Sequence, residues 1–128
     1  MIAFLLILTN PVPNPIPNQV QNGNPVNEEL AIIDSIGIKY LDNYSDWRNI
    51  IWAIKKTNIN YKKQAKAISK KSLKYNEVEF NKLWNNYDEN TNLTYGTLRY
   101  YSKLTDEEKY ISIISYWHFL KNMEGSAI

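Results

Sequence analysis

All five prolines of this chain fall between Pro11 and Pro25, and none follows Val26. That boundary constrains the fold more than any other feature. Proline lacks a backbone donor and fixes φ, so the stretch Asn10 to Asn27 cannot be helical and reads as a linker, partly polyproline-like. Beyond it, apolar residues recur with helical periods. Ahead of it lies a seven-residue apolar run, Ile2 to Leu8. A membrane-spanning helix needs about 20 apolar residues, so the run is no membrane span. It also lacks the basic flank and small-residue cleavage site of a signal peptide. A lone strand or a remnant of an upstream domain suits it better than a weak signal-like segment.

The length of 128 residues suits one domain. The expected organisation is an apolar tip and linker over 1–27, a helical unit over 28–104 and a C-terminal helix and tail over 105–128. Four tryptophans, ten tyrosines and three phenylalanines supply large pieces for a core. The expected fold is all-α, a compact bundle of five to six short helices behind an irregular proline-rich arm.

Local signals place those helices. Asn27 caps the first, with Glu28 and Glu29 in its opening turn. Leu30, Ile33, Ile36 and Ile38 form its apolar side, and Gly37 weakens or ends it. Ser45 is the expected cap of a second helix that presents Trp47, Ile50, Ile51 and Ile54 on one face and ends near Thr57 and Asn58. Trp52 lies off that stripe. A third helix, about 60–70, carries Tyr61, Ala65 and Ile68 as a thin apolar stripe. A fourth begins near Asn76 and is expected to bury Val78, Phe80, Leu83, Trp84 and Tyr87. Asp88 to Asn92 is a polar turn. Thr94 caps a fifth, short helix holding Leu98, Tyr101 and Leu104, and Thr105 with Glu108 suggests a capping box for a last helix that buries Ile111, Ile114, Tyr116 or Trp117, and Leu120.

The inventory offers no catalytic site. There is no cysteine, which excludes disulfides and thiolate chemistry, and there is one histidine, His118, between Trp117 and Phe119. Neither a nucleophile elbow nor a phosphate-binding loop occurs. Asp88 and Glu89 are an isolated acidic pair, read as a solvated cap. No metal and no cofactor are expected.

Charge is segregated instead. The net charge is only +2, yet Lys55 to Lys74 holds eight lysines and no acid. Lys62, Lys66 and Lys70 recur every four residues and line one helical face, with Lys63 beside them. Like charges at that spacing cost helix stability. They suit a polyphosphate partner, or they form a solvated face. The candidate nucleic-acid contacts are Lys62, Lys63, Lys66, Lys70, Lys71, Lys74 and Tyr75. Tyr61, Tyr100 and Tyr101 are further candidates for stacking on bases, and Trp52, Tyr100 and Tyr101 are candidates for docking a protein partner.

The order of motifs is also informative. Tyr44-x-x-Trp47-x-x-x-Ile51-Trp52-Ala53-Ile54 is followed by Ser69-Lys70-Lys71-Ser72-x-Lys74-Tyr75, then Glu79-x-x-x-Leu83-Trp84, then Leu93-Thr94-x-Gly96-x-Leu98-x-Tyr100-Tyr101-Ser102-Lys103. This pattern resembles the primase C-terminal type 2 domain of primase-helicases in nucleocytoplasmic large DNA viruses and of related mobile-element primases. Ser102 stands where that family usually has alanine. Gly96 is expected to allow close helix approach, and Ser69 and Ser72 to cap helix ends. The resemblance implies an accessory module joined to primase catalytic and superfamily 3 helicase domains. It implies single-stranded or primer-template DNA as a partner, no membrane, and a place in the host cytoplasm or at the viral replication site. The chain contains neither enzyme domain, so it is a stand-alone remnant or a fragment of a longer gene.

Overall fold

A computed structural model describes residues 20–21, 24–25 and 27–126. The apolar tip lies outside the described residues. Within the linker, β1 (Val20–Gln21) pairs antiparallel with β2 (Asn24–Pro25), Val20 opposite Pro25. Seven α-helices follow among the described residues: α1 (Glu28–Ser35), α2 (Ile38–Asp42), α3 (Tyr44–Thr57), α4 (Lys62–Ser69), α5 (Glu77–Asn85), α6 (Tyr95–Thr105) and α7 (Glu107–Ser126), with a 3-10 turn at Ile59–Tyr61. The all-α expectation is met, and the added element is the short α2.

Capping explains most of the boundaries. Asn27 accepts a hydrogen bond from the Leu30 amide at 2.8 Å, and Asn76 accepts one from Glu79 at 3.0 Å. Thr94 and Thr97 close a capping box at the start of α6. Two expected caps sit elsewhere. Asn43, not Ser45, caps α3 by accepting from the Asp46 amide at 3.0 Å. Asp106 caps α7 by accepting from Lys109 at 3.0 Å, so the expected Thr105–Glu108 box does not form.

The core gathers around α3. Ile50, Ile51, Ala53 and Ile54 are fully buried there, with Ile32 and Ile33 from α1, Ile36 just after it, Phe80 from α5 and Leu98 from α6. The last helix keeps Ile114 and Trp117 on its inward face as expected but turns Ile111 out in favour of Ile113. Ile113 is buried and Ile111 exposed, because the inward stripe is Tyr110, Ile113, Ile114 and Trp117. Val78 also faces solvent, at 65% exposure.

Two polar contacts fasten α1 to α6. Ser35 donates to the Ile32 carbonyl at 2.7 Å, and its oxygen lies 2.5 Å from the buried Ser102 hydroxyl. An alanine at position 102 could not make this contact. At the α1–α2 corner, the Gly37 amide donates to Thr105 Oγ1 at 3.0 Å. A Cβ on Gly37 would lie 2.8 Å from Thr105 Cγ2, closer than packing allows. The glycine that permits close approach is therefore Gly37. Gly96 sits exposed in the first turn of α6, where a Cβ would meet Thr94 Oγ1 alone.

Three tyrosine–carboxylate bonds tie separate elements. The Tyr95 hydroxyl donates to Glu28 at 2.5 Å, Tyr61 to Glu29 at 2.7 Å and Tyr101 to Asp46 at 2.7 Å. Burial first, then the bond to a carboxylate, pushes all three phenols above their ordinary value, Tyr95 furthest.

Two outcomes are expected. Gly37→Ala should destabilise the fold by about 1–3 kcal/mol in urea unfolding, the usual cost of overpacking. Adding Thr105→Ser removes the clashing methyl but keeps the hydroxyl, and should recover part of that loss; no recovery would contradict the packing account. The second concerns pH. Above about pH 10 the unfolded chain loses phenolic protons that the folded chain keeps. The unfolded state then binds fewer protons, so stability should hold below that pH and fall as pH rises through it. Lys71, whose pKa is lowered by burial, opposes this as one group against four, because burial raises Tyr75 as well. Thermal unfolding between pH 8 and 11 should show the fall, and Tyr95→Phe should make it shallower.

Candidate nucleic-acid interface

Tyr61, Ala65 and Ile68 are buried, as their spacing predicts, and this turns the remaining faces of α4 outward. Lys63 and Lys70 are exposed there, while Lys62 and Lys66 are half-buried along their stems. Lys66 lies 3.9 Å from Glu77 and 5.8 Å from the Phe80 ring centre. Lys70 lies 5.8 Å from the Tyr75 ring centre. A long, partly exposed ion pair of this kind contributes about 0–1 kcal/mol, so it offsets little of the repulsion along the row.

Other lysines of the basic segment are committed elsewhere. Lys71 donates to the Asp34 carbonyl at 2.6 Å and the Ile36 carbonyl at 3.0 Å, at the end of α1. Lys74 donates to the Asp42 carbonyl at 3.0 Å, at the end of α2. Lys55 donates to the Trp84 carbonyl at 2.7 Å, near the end of α5, with its ammonium 5.3 Å from the Trp84 and Tyr87 ring centres. Helix C-termini present unpaired carbonyls and partial negative charge, which cations satisfy. Burial is the main cause of the lowered Lys71 pKa, and the Asp34 charge partly offsets it. Seven of the eight lysines of the run therefore fall into two populations, with the exposed Lys56 in neither. Lys62, Lys63, Lys66 and Lys70 form the outward row. Lys71 and Lys74, though candidates by position, point back at the protein.

The turn after α4 borders a cleft of about 290 Å³. Leu41 and Asp42 at the end of α2, Tyr44 and Trp47 at the start of α3, and Ser69 at the end of α4 form much of its wall. Ser72, Lys74, Tyr75 and Asn76 add the turn, and Glu79 the first turn of α5. The serines hold the walls together rather than cap helix ends. Trp47 Nε1 donates to Ser69 Oγ at 2.9 Å, and Ser69 donates back to the Ala65 carbonyl at 2.8 Å. Ser72 donates to the Asp42 carboxylate and accepts from the Lys74 amide at 3.0 Å. Periodicity along the chain cannot reveal this cleft, because its walls come from four elements. The signal that points to it is the motif set, since Tyr44, Trp47, Ser69, Ser72, Tyr75 and Glu79 all reach it.

The aromatic candidates separate in the same way. Tyr61 and Tyr101 are buried and hydrogen-bonded to carboxylates. Trp52 donates to the Leu83 carbonyl at 2.9 Å under the Arg48 guanidinium. Tyr75 is half-buried at the cleft, and Tyr100 is 59% exposed on α6. Of the three docking candidates, only Tyr100 presents an open ring.

His118 is exposed on α7, and Asp88 accepts from the Asn90 amide at 2.9 Å as a turn cap. Among the described residues no cluster of His, Cys, Asp or Glu is arranged to hold a metal ion, and no helix is long and apolar enough to cross a membrane.

Comparison with curated proteins and with solved structures found no match. A protein-family model described as Primase C terminal 2 (PriCT-2) matches residues 30–102. That span runs from α1 through the motif residues of the cleft into α6 and covers more than half of the chain, so the chain belongs to the primase C-terminal 2 family.

Proposed function

We propose that this chain is a non-catalytic accessory module of a viral-type DNA primase-helicase and that it contacts nucleic acid through the α4 lysine face. Family membership supports the primase association. The observation that carries nucleic-acid contact is the outward row of Lys62, Lys63, Lys66 and Lys70, whose one ion pair among the described residues is the 3.9 Å Lys66–Glu77 contact. A row of like charges at helical spacing works against the helix that carries it. A phosphate backbone laid along it removes that repulsion and gains counterion release.

In this reading the polymerising and unwinding chemistry belongs to primase and superfamily 3 helicase partners, on separate chains or in a longer chain. The module steadies a strand between them during primer synthesis, inside the infected cell where replication takes place. A docking role between the two enzymes has less support, because Trp52 and Tyr101 are turned into the fold.

Binding to single-stranded and duplex DNA, measured at several salt concentrations, tests the proposal. The wild-type chain should bind with an affinity that falls steeply as salt rises. Lys62→Glu, Lys66→Glu and Lys70→Glu together should weaken binding and flatten the log–log salt slope by about 2, near 0.7 per phosphate contact on a single strand. The helical circular dichroism should be unchanged. Absence of binding at low salt, or a triple variant that binds as wild type does, would overturn the assignment.

A further inference from the structure

We infer that the cleft between α2, α3 and the α4–α5 turn holds one unstacked nucleobase of a single strand whose phosphates run along α4. This rests on the nucleic-acid reading of the lysine face and adds a site to it. The row and the cleft are continuous: Lys62, Lys66 and Lys70 step toward the C-terminal end of α4, and its last residue, Ser69, is part of the cleft wall. A strand that follows the row is thereby delivered to the opening.

The cleft suits a base in size and in chemistry. Its volume of about 290 Å³ lies just below the roughly 300–1,000 Å³ typical of ligand pockets, as suits a single base. Tyr44, Trp47 and Tyr75 give it π faces, and Tyr44 is 60% exposed at the rim. Every base has a π face, so aromatic walls hold a base without demanding a sequence. Asn76 and Glu79 bring polar groups to the same space. The Asn76 oxygen is occupied as the α5 cap, which leaves its amide nitrogen, a donor, for a base edge. Glu79 supplies an acceptor. At the apex of the turn, between the lining residues Ser72 and Lys74, Leu73 is 100% exposed. An open leucine beside a base-sized cleft and between lysines is placed to fill the gap a withdrawn base leaves in a stack, as apolar wedges do in other nucleic-acid complexes.

The test uses the full chain and a short oligothymidine carrying one central 2-aminopurine, with a second oligonucleotide that is abasic at that position. Binding of the first should quench or shift the 2-aminopurine fluorescence, and the abasic strand should bind more weakly. Tyr44→Ala lies at an exposed position and should fold. It should weaken the 2-aminopurine strand roughly 5-fold or more, bring it level with the abasic strand and leave the salt slope unchanged, while Tyr44→Phe restores binding. If Tyr44→Ala binds as wild type does with a normal salt slope, the cleft assignment is overturned and the lysine face stands. If neither strand binds at low salt, both are overturned.

Discussion

Short helices expose carbonyls, and this fold depends on how those carbonyls are satisfied. A helix leaves its last four carbonyls without an internal partner. In α2, with five residues, that is most of the element. Lysine ammoniums cover the exposed ends of α1, α2 and α5: Lys71, Lys74 and Lys55. Each such contact combines a charge-assisted hydrogen bond with the helix dipole, the dipole part being about 0.3–1 kcal/mol. The turn after α4 can only sit where it does because two of its lysines reach back to α1 and α2. One of those contacts, Lys74 on the Asp42 carbonyl, also joins two walls of the cleft, so the stability of the bundle and the shape of the candidate site share one element.

A similar economy governs the aromatic residues. An aromatic surplus reads as surface available for partners, yet here many phenols are structural ties. Tyr95, Tyr61 and Tyr101 reach carboxylates on other elements, and the Trp52 and Trp47 indoles donate to Leu83 and Ser69. Among the aromatic residues that stay open are Tyr44 at the cleft rim and Tyr100 on α6, and Leu73 is fully exposed at the turn apex. Tyr44 lines the cleft, Leu73 lies between its lining residues Ser72 and Lys74, and Lys70 of the row reaches the Tyr75 ring in the same cleft.

The helices were legible because their signals are local. Asn27, Asn76 and Thr94 act within three residues of themselves, and the Trp47–Ile54 stripe lies on one helix. Signals that depend on distant partners were misread. Thr105 looks like a cap, but its hydroxyl accepts from Gly37 and donates to Tyr101, leaving Asp106 to start α7. Gly96 and Gly37 are indistinguishable until the neighbour of each is known. Helix α2 is too short to show a period. The α7 register is ambiguous because apolar residues lie on several sides of it, and only packing on α1 and α6 selects Ile113 over Ile111. The candidate site divides the same way. The row Lys62, Lys66, Lys70 follows from spacing, whereas the roles of Lys71 and Lys74 follow from carbonyls more than 30 residues away. The cleft, built from four elements, has no local signature.

The central claim is that the basic segment contains two kinds of lysine with separate roles. Its most direct test is a lysine-by-lysine methionine scan from Lys55 to Lys74, with urea unfolding and single-stranded DNA binding measured on each variant. The account predicts two distinct sets. Lys55, Lys71 and Lys74 lower stability, by about 1 kcal/mol each, and leave the salt slope of binding unchanged. Lys62, Lys63 and Lys70 change stability by less than about 0.5 kcal/mol and each reduce the slope. One set of lysines governing both quantities, or Lys71→Met folding as stably as wild type, would contradict it.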